Sequence, residues 1–129
     1  MATKLIAVDG FSYSFSDPLV NASVSMIGVP SVKNKAGGSG ICKDGFNAIV
    51  SSITYPSAGA TTPDPVPYTV PFNATATKIE ADGTLVLRLD DETDTINATP
   101  MIPGTPPTPY PVSFKLKISD AGQTKVKGA

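Results

Sequence analysis

Thirteen prolines and eleven glycines punctuate this chain of 129 residues, and they constrain its fold more than any other feature. Proline fixes φ and removes a hydrogen-bond donor, so it breaks helices and is disfavoured in central strands. Five prolines fall between Pro56 and Pro71, and a second proline-rich stretch runs from Pro100 to Pro111. Both segments are expected to be irregular or polyproline-like, and stiff without a core beneath them.

Between these breaks the apolar residues alternate with polar ones, the period of a half-buried strand. Lys4–Val8 reads as a strand closed by Asp9-Gly10, and Phe11–Phe15 alternates aromatic with serine. Val20–Ile27 alternates through Val20, Ala22, Val24 and Met26, and a short strand is expected near Ser31–Lys35. Phe46–Tyr55 is apolar enough for a strand or for one short helix near Phe46–Ser52. Tyr68–Ile79 alternates, Ala81-Asp82-Gly83 marks a hairpin turn, and Leu85, Leu87 and Leu89 follow on one face. Thr93–Ala98 is a further strand. The end reads as a terminal hairpin: Pro111–Ile118 with Val112, Phe114, Leu116 and Ile118 inward, a turn at Asp120-Ala121-Gly122, then Gln123–Lys127. The expected fold is all-β, a small single domain over residues 1–129 with rigid proline-rich loops.

The residues that are missing narrow the function. There is no histidine, so no Ser-His or Cys-His dyad can form and the commonest general base is absent. The lone Cys42 has no activating imidazole and no disulfide partner, which fits a structural thiol. A net charge of −1 gives no basic stripe for nucleic acid. The first residues lack the apolar core of a signal peptide, and no apolar run approaches a membrane span. No catalytic residue, metal ligand or cofactor site is assigned, and an enzyme is not expected. Synthesis in a bacterial-type cytoplasm is the default.

Four patterns invite a function and are read structurally. Gly37-Gly38-Ser39-Gly40-Ile41-Cys42-Lys43 lacks the spacing of a phosphate loop and reads as a tightly bent loop. Asp90-Asp91-Glu92-Thr93-Asp94 lacks the glycine and the distal glutamate of a calcium loop and reads as a solvated turn. Asn21, Asn73 and Asn97 each begin an Asn-Ala-Ser/Thr triplet, read as three similar β-segments and not as glycosylation sites. Their spacing is too uneven for a solenoid. Tyr55, Tyr68 and Tyr110 flank the proline-rich loops and are the candidates for exposed aromatics in a surface-binding module.

The segments Ser31-Val32-Lys33-Asn34-Lys35-Ala36-Gly37-Gly38-Ser39-Gly40-Ile41-Cys42-Lys43-Asp44-Gly45 and Ala76-Thr77-Lys78-Ile79-Glu80-Ala81-Asp82-Gly83-Thr84-Leu85-Val86-Leu87-Arg88-Leu89-Asp90-Asp91, with the closing Ile118–Val126, resemble the PAAR-like proteins of contractile injection systems. These are relatives of phage tail tips and of the type VI secretion spike tip. The resemblance implies a β-rich cone whose base caps a trimeric β-helical spike, one tip per trimer, and whose point makes transient contact with a target membrane. It implies three similar faces on the monomer, possible carriage of effector cargo, and assembly into an injection particle that leaves the cytoplasm. The family's zinc site needs histidines, so it does not carry over, and the Pro-Ala-Ala-Arg tetrapeptide is absent. What remains is a metal-free branch. A baseplate or decoration β-sandwich is the rival structural reading. Low overall charge points to a docking contact that rests on burial and strand pairing and persists in high salt. Phe114, Leu116 and Ile118 are placed either beneath that contact or in the general interior.

Overall fold

The computed structural model describes residues 3–129. The chain is almost wholly strand, turn and loop; among the described residues the one helical segment is a single 3₁₀ turn at Pro56–Ala58. It makes three similar passes. The first runs through β1 (Lys4–Leu5), β2 (Ser12–Phe15) and β3 (Asn21–Met26). The second runs through β4 (Lys35–Ala36), β5 (Ser39–Gly40), β6 (Asn47–Thr54) and β7 (Tyr68–Asn73). The third comprises β8 (Glu80–Ala81), β9 (Thr84–Leu85), β10 (Glu92–Thr93), β11 (Ile96–Ala98), β12 (Met101–Ile102), β13 (Thr108–Pro109), β14 (Val112–Phe114) and β15 (Leu116–Asp120), and β16 (Lys127–Gly128) closes the chain.

The longer strands form one curled sheet in the order β2-β15-β10-β7-β6-β3, with antiparallel neighbours throughout. Its two edge strands, β2 and β3, are consecutive in the chain, so the order is a ring of strands opened at one seam. Inside lies the larger core, with Phe72, Phe114, Ile53, Leu87, Ile96, Leu116 and Ile118 fully or almost fully buried. Phe11 meets Phe72 edge-on at 5.3 Å and Phe15 meets Phe114 at 5.5 Å, the tilt favoured by the ring quadrupoles.

A second, smaller core holds Ile6, Val8, Ala36, Ile41, Ala76, Ala81 and Val86. Its existence explains where alternation fails. Val86, Leu87 and Arg88 are buried in succession because the chain there passes between two cores: Val86 enters the small one and Leu87 the large one. Ile6 and Ala7 divide in the same way, as do Ile41 and Cys42. Leu85 therefore packs against the small core while Leu87 and Leu89 belong to the large one, which splits the single leucine face read from sequence.

Of the two readings open for Phe46–Tyr55 the strand is the one found: it supplies the eight-residue β6, paired on both sides, with Ala48, Val50 and Ile53 buried and the alternation broken at Ser52, whose φ is +54°. The terminal hairpin does not form. β15 pairs with β2 and β10, and β16 pairs with β1, where Lys4 faces Gly128 and Leu5 faces Lys127. Pattern indicated strands in both places, but pattern is silent on partners.

Candidate docking face

The feature that organises the molecule is a closed triangle of main-chain hydrogen bonds. The Ala7 amide donates to the Leu87 carbonyl at 2.9 Å, the Leu87 amide to Cys42 at 3.0 Å, and the Cys42 amide to Ala7 at 3.0 Å. A second triplet lies beside it: the amides of Asp9, Asp44 and Leu89 donate to the carbonyls of Gly40, Leu85 and Leu5 at 2.8–2.9 Å. Three isolated bridges complete the pattern, Val8 with Ile41, Lys43 with Val86, and Arg88 with Ile6. Each relation maps one pass onto the next, so Ala7, Cys42 and Leu87 are equivalent positions of a three-fold internal repeat.

The repeat continues outward into three antiparallel hairpin units. β4 pairs with β5 and β8 with β9, around Gly37-Gly38 and Asp82-Gly83, whose residues all have positive φ as tight hairpin turns require. The third unit is β16 with β1, brought together from opposite ends of the described chain in the same register. Lys35, Glu80 and Lys127 are thus equivalent, and so are Ala36, Ala81 and Gly128, which are all buried. A side chain at Gly128 would place its Cβ 2.7 Å from Ile79, so the smallest residue stands where the unit packs tightest. Polar ties join neighbouring units: Lys43 to Asp82 at 3.2 Å and Asn34 to Asp82 at 2.9 Å. The Ser31 hydroxyl and the Lys43 ammonium hold the Asp82 carboxyl below its usual range.

One inward position departs from the repeat. Phe11 and Phe46 are equivalent and meet at 5.7 Å, but the third residue of the set is Asp91. This carboxylate is almost completely buried, the exception in a cluster whose Asp90, Glu92 and Asp94 are exposed as a solvated turn requires. It accepts from the Arg88 amide at 2.8 Å and from the Thr75 hydroxyl. The buried Arg88 guanidinium donates to Thr75 at 2.9 Å and to the Gly128 carbonyl at 3.2 Å, tying the last strand down.

The opposite end of the molecule carries the connections between outward and return strands, and it has no such repeat. The connections are 16–20, 55–67 and 99–111, one short and two long and proline-rich. They are knotted by side chains. Tyr55 donates to Asp17 at 3.0 Å and its ring lies 5.4 Å from that of Tyr110. Asp64 accepts from the Tyr68 hydroxyl at 2.7 Å, the Thr99 amide at 2.8 Å and the Val66 amide at 2.9 Å. Burial opposes ionisation of Asp64, but these three donors outweigh it and hold the carboxyl below its usual range. The same bond pushes the Tyr68 phenol up to about 12. The three tyrosines are therefore half-buried ties and not an exposed aromatic platform.

Other residues singled out from sequence are scattered. Cys42 is fully buried, and desolvation followed by the Asp9 charge pushes its thiol up to about 12, so it is no nucleophile near neutral pH. Gly37–Gly40 forms the turn and second strand of a hairpin. Asn21, Asn73 and Asn97 are exposed on strands, with Asn73 bonded to Asp94 and Asn97 to Ser113. Phe114, Leu116 and Ile118 fill the large core, not the small one beneath the hairpins. Among the described residues no three of His, Cys, Asp or Glu come together as metal ligands. The internal repeat escaped the sequence reading. Its signal was present in Ile6-Ala7-Val8-Asp9-Gly10-Phe11 and Ile41-Cys42-Lys43-Asp44-Gly45-Phe46, which share Ile, Asp, Gly and Phe at the same offsets. The third copy, Val86-Leu87-Arg88-Leu89-Asp90-Asp91, shares no residue with that pattern. No family model, curated protein or solved structure matches the chain.

Proposed function

We propose that this chain is a structural tip protein: a single copy caps a homotrimeric β-helical spike of a contractile injection apparatus or phage-like tail and leads it through a target membrane. The observation that carries this reading is the Ala7–Cys42–Leu87 triangle with its three hairpin units. A monomer that sits on the axis of a homotrimer meets three identical surfaces, and an economical match is three equivalent surfaces of its own. Only the hairpin end offers them, so the hairpin end docks. The opposite end, stiffened by prolines and tyrosine–aspartate bonds, then points away from the spike. Catalysis has no part in this role. The protein is made in the bacterial cytoplasm and leaves it within the assembled particle, with any effector cargo as a passenger.

Mass photometry of the chain mixed with the products of its neighbouring genes, among which this reading expects a homotrimeric β-helical protein, provides the test. One copy per trimer is expected, with a single added density at one end of the spike in negative stain. Three copies per trimer, or many copies along a tube or shell, would instead identify a decoration or baseplate protein.

A further inference from the structure

The net charge of −1 conceals a separation. The three hairpin units and their lead-in residues (31–40, 76–85, and 123–129 with 3–5) carry Lys4, Lys33, Lys35, Lys78, Lys125 and Lys127 against only Glu80 and Asp82. The three outer connections carry Asp17 and Asp64 and no basic residue. The docking end is basic and the far end is weakly acidic.

Within that basic end one position stands out. Main-chain bonds from Ile41 to Asn34, Val86 to Ile79 and Ile6 to Val126 make those three acceptors equivalent. The residues just before them are Lys33, Lys78 and Lys125, all exposed. From Ser31, Ala76 and Gln123 through the hairpins to Phe46, Asp91 and Phe11, this is the only position at which all three copies share a residue. Burial does not impose the lysine, since no core packs on an exposed side chain.

The backbone at this position is also held alike, by three different means. In each copy one oxygen accepts both the lysine amide and the next amide. Ser31 Oγ takes Lys33 and Asn34 at 3.3 and 2.9 Å. Gln123 Oε1 takes Lys125 and Val126, both at 2.8 Å. The main-chain oxygen of Ala129 takes Lys78 and Ile79 at 3.0 and 3.1 Å. A hydroxyl, a side-chain amide and a carbonyl from another unit thus arrive at one geometry.

We infer that Lys33, Lys78 and Lys125 form a three-fold ring of cations that engages a matching ring of carboxylates, one Asp or Glu from each chain of a homotrimeric protein. This rests on the reading of the hairpin end as a trimer-docking face. A polyanion or an anionic lipid surface would use the basic charge but has no need of one lysine at each of three equivalent, separately braced positions. The neighbouring charges support that distinction. Lys35, Glu80 and Lys127 are also equivalent, yet their signs differ, so only the ring presents the same charge to all three partner chains. The contact is therefore salt-sensitive, unlike the apolar one that composition suggests.

The test uses the full chain and the neighbouring gene product that purifies as a homotrimeric β-helical protein. Replacing all three lysines with glutamate should weaken binding by about 100-fold or more, and each single Lys→Ala change by about 2- to 5-fold. The Lys→Arg triple variant should retain binding, and Lys115→Glu, outside the hairpin units, should change nothing. Affinity should fall about tenfold between 50 mM and 500 mM NaCl. Replacing the partner's terminal acidic residues with lysine should restore binding of the triple glutamate variant. A one-to-three complex indifferent to salt and to charge reversal would overturn the ring and leave the tip reading intact. No one-to-three complex would overturn both. Ring-dependent binding to phosphatidylserine vesicles, in preference to the trimer, would overturn the protein partner in favour of lipid.

Discussion

The two ends of this molecule solve the same problem differently. Each must close three strand connections over an apolar core. At the hairpin end the closure repeats: one hydrogen-bond triangle, three antiparallel units and three braced lysines. At the loop end it does not repeat; each connection has its own length, and Asp17, Tyr55, Asp64, Tyr68 and Tyr110 knit them into a single knot. Packing alone does not call for three-fold repetition, because the irregular end is equally well tied. On the proposed reading the requirement comes from the trimer, which would act on one end only.

The largest expected effect removes what both ends share. Phe114 lies 2% exposed in the large core, against Phe15. Phe114→Asp places an unpaired carboxylate there and should cost about 4 kcal/mol or more. That is most of the stability of a domain at the low end of the ordinary range, about 5 kcal/mol. Urea denaturation should then show both ends lost in one transition; a folded variant that merely fails to bind the trimer would move Phe114 from the interior to the interface.

Asp91→Ala acts mainly at the hairpin end. It removes the acceptor of the buried Arg88 amide and of the Thr75 hydroxyl, the same hydroxyl that accepts from the Arg88 guanidinium, at a cost of about 3 kcal/mol. Because Arg88 also holds the Gly128 carbonyl, hydrogen exchange at Leu5 and Lys127 should speed up more than exchange in β6. Equal loss of protection throughout would show that Asp91 supports the whole core and not one unit.

Asp64→Ala is the counterpart at the loop end. It orphans the Thr99 and Val66 amides and the Tyr68 hydroxyl, costing about 2 kcal/mol. The folded carboxyl ionises below its unfolded value of about 3.9, so its contribution is complete above that pH and is lost as pH falls through the lower folded value. Amides at 55–67 and 99–111 should therefore lose more protection in acid than those of the hairpin units, where the depressed carboxyl of Asp82 is exposed and supports less. Trimer affinity at neutral pH should not change; a loss would place the docking contact at the loop end.

Much of this was legible in the residues. Alternation located β2, β3 and β7 and named their inward side chains, because a half-buried strand forces period two, whereas β6 showed only as an apolar run. It failed at Val86–Arg88, where two cores flank one strand and every residue is buried. It failed again at the terminal strands, since Lys127 finds Leu5 from the opposite end of the chain. The proposed docking face lay deeper still. Lys33, Lys78 and Lys125 become comparable only once hydrogen bonds fix their equivalence, because the connections between passes differ in length.

The smallest expected effect tests the repeat at a single residue. Gly10, Gly45 and Asp90 are the equivalent turn positions, with φ of +89°, +83° and +74°. Two copies have the residue that this backbone favours, and the third holds an aspartate in a conformation that costs a non-glycine residue about 1 kcal/mol. Asp90 offsets part of that with ion pairs to Lys117 at 3.7 Å and Lys4 at 3.9 Å, but all three side chains are well exposed and such pairs contribute little. Glycine also restores backbone freedom to the unfolded chain, which subtracts from the gain. Asp90→Gly should therefore stabilise by only about 0.5 kcal/mol, whereas Gly10→Asp or Gly45→Asp, with no lysine paired to it, should destabilise by about 1 kcal/mol. Thermal unfolding of the three variants at low and high salt separates the terms. If Asp90→Gly instead destabilises, and does so only at low salt, the ion pairs outweigh the backbone strain and the third copy is held by charge where the other two are held by glycine.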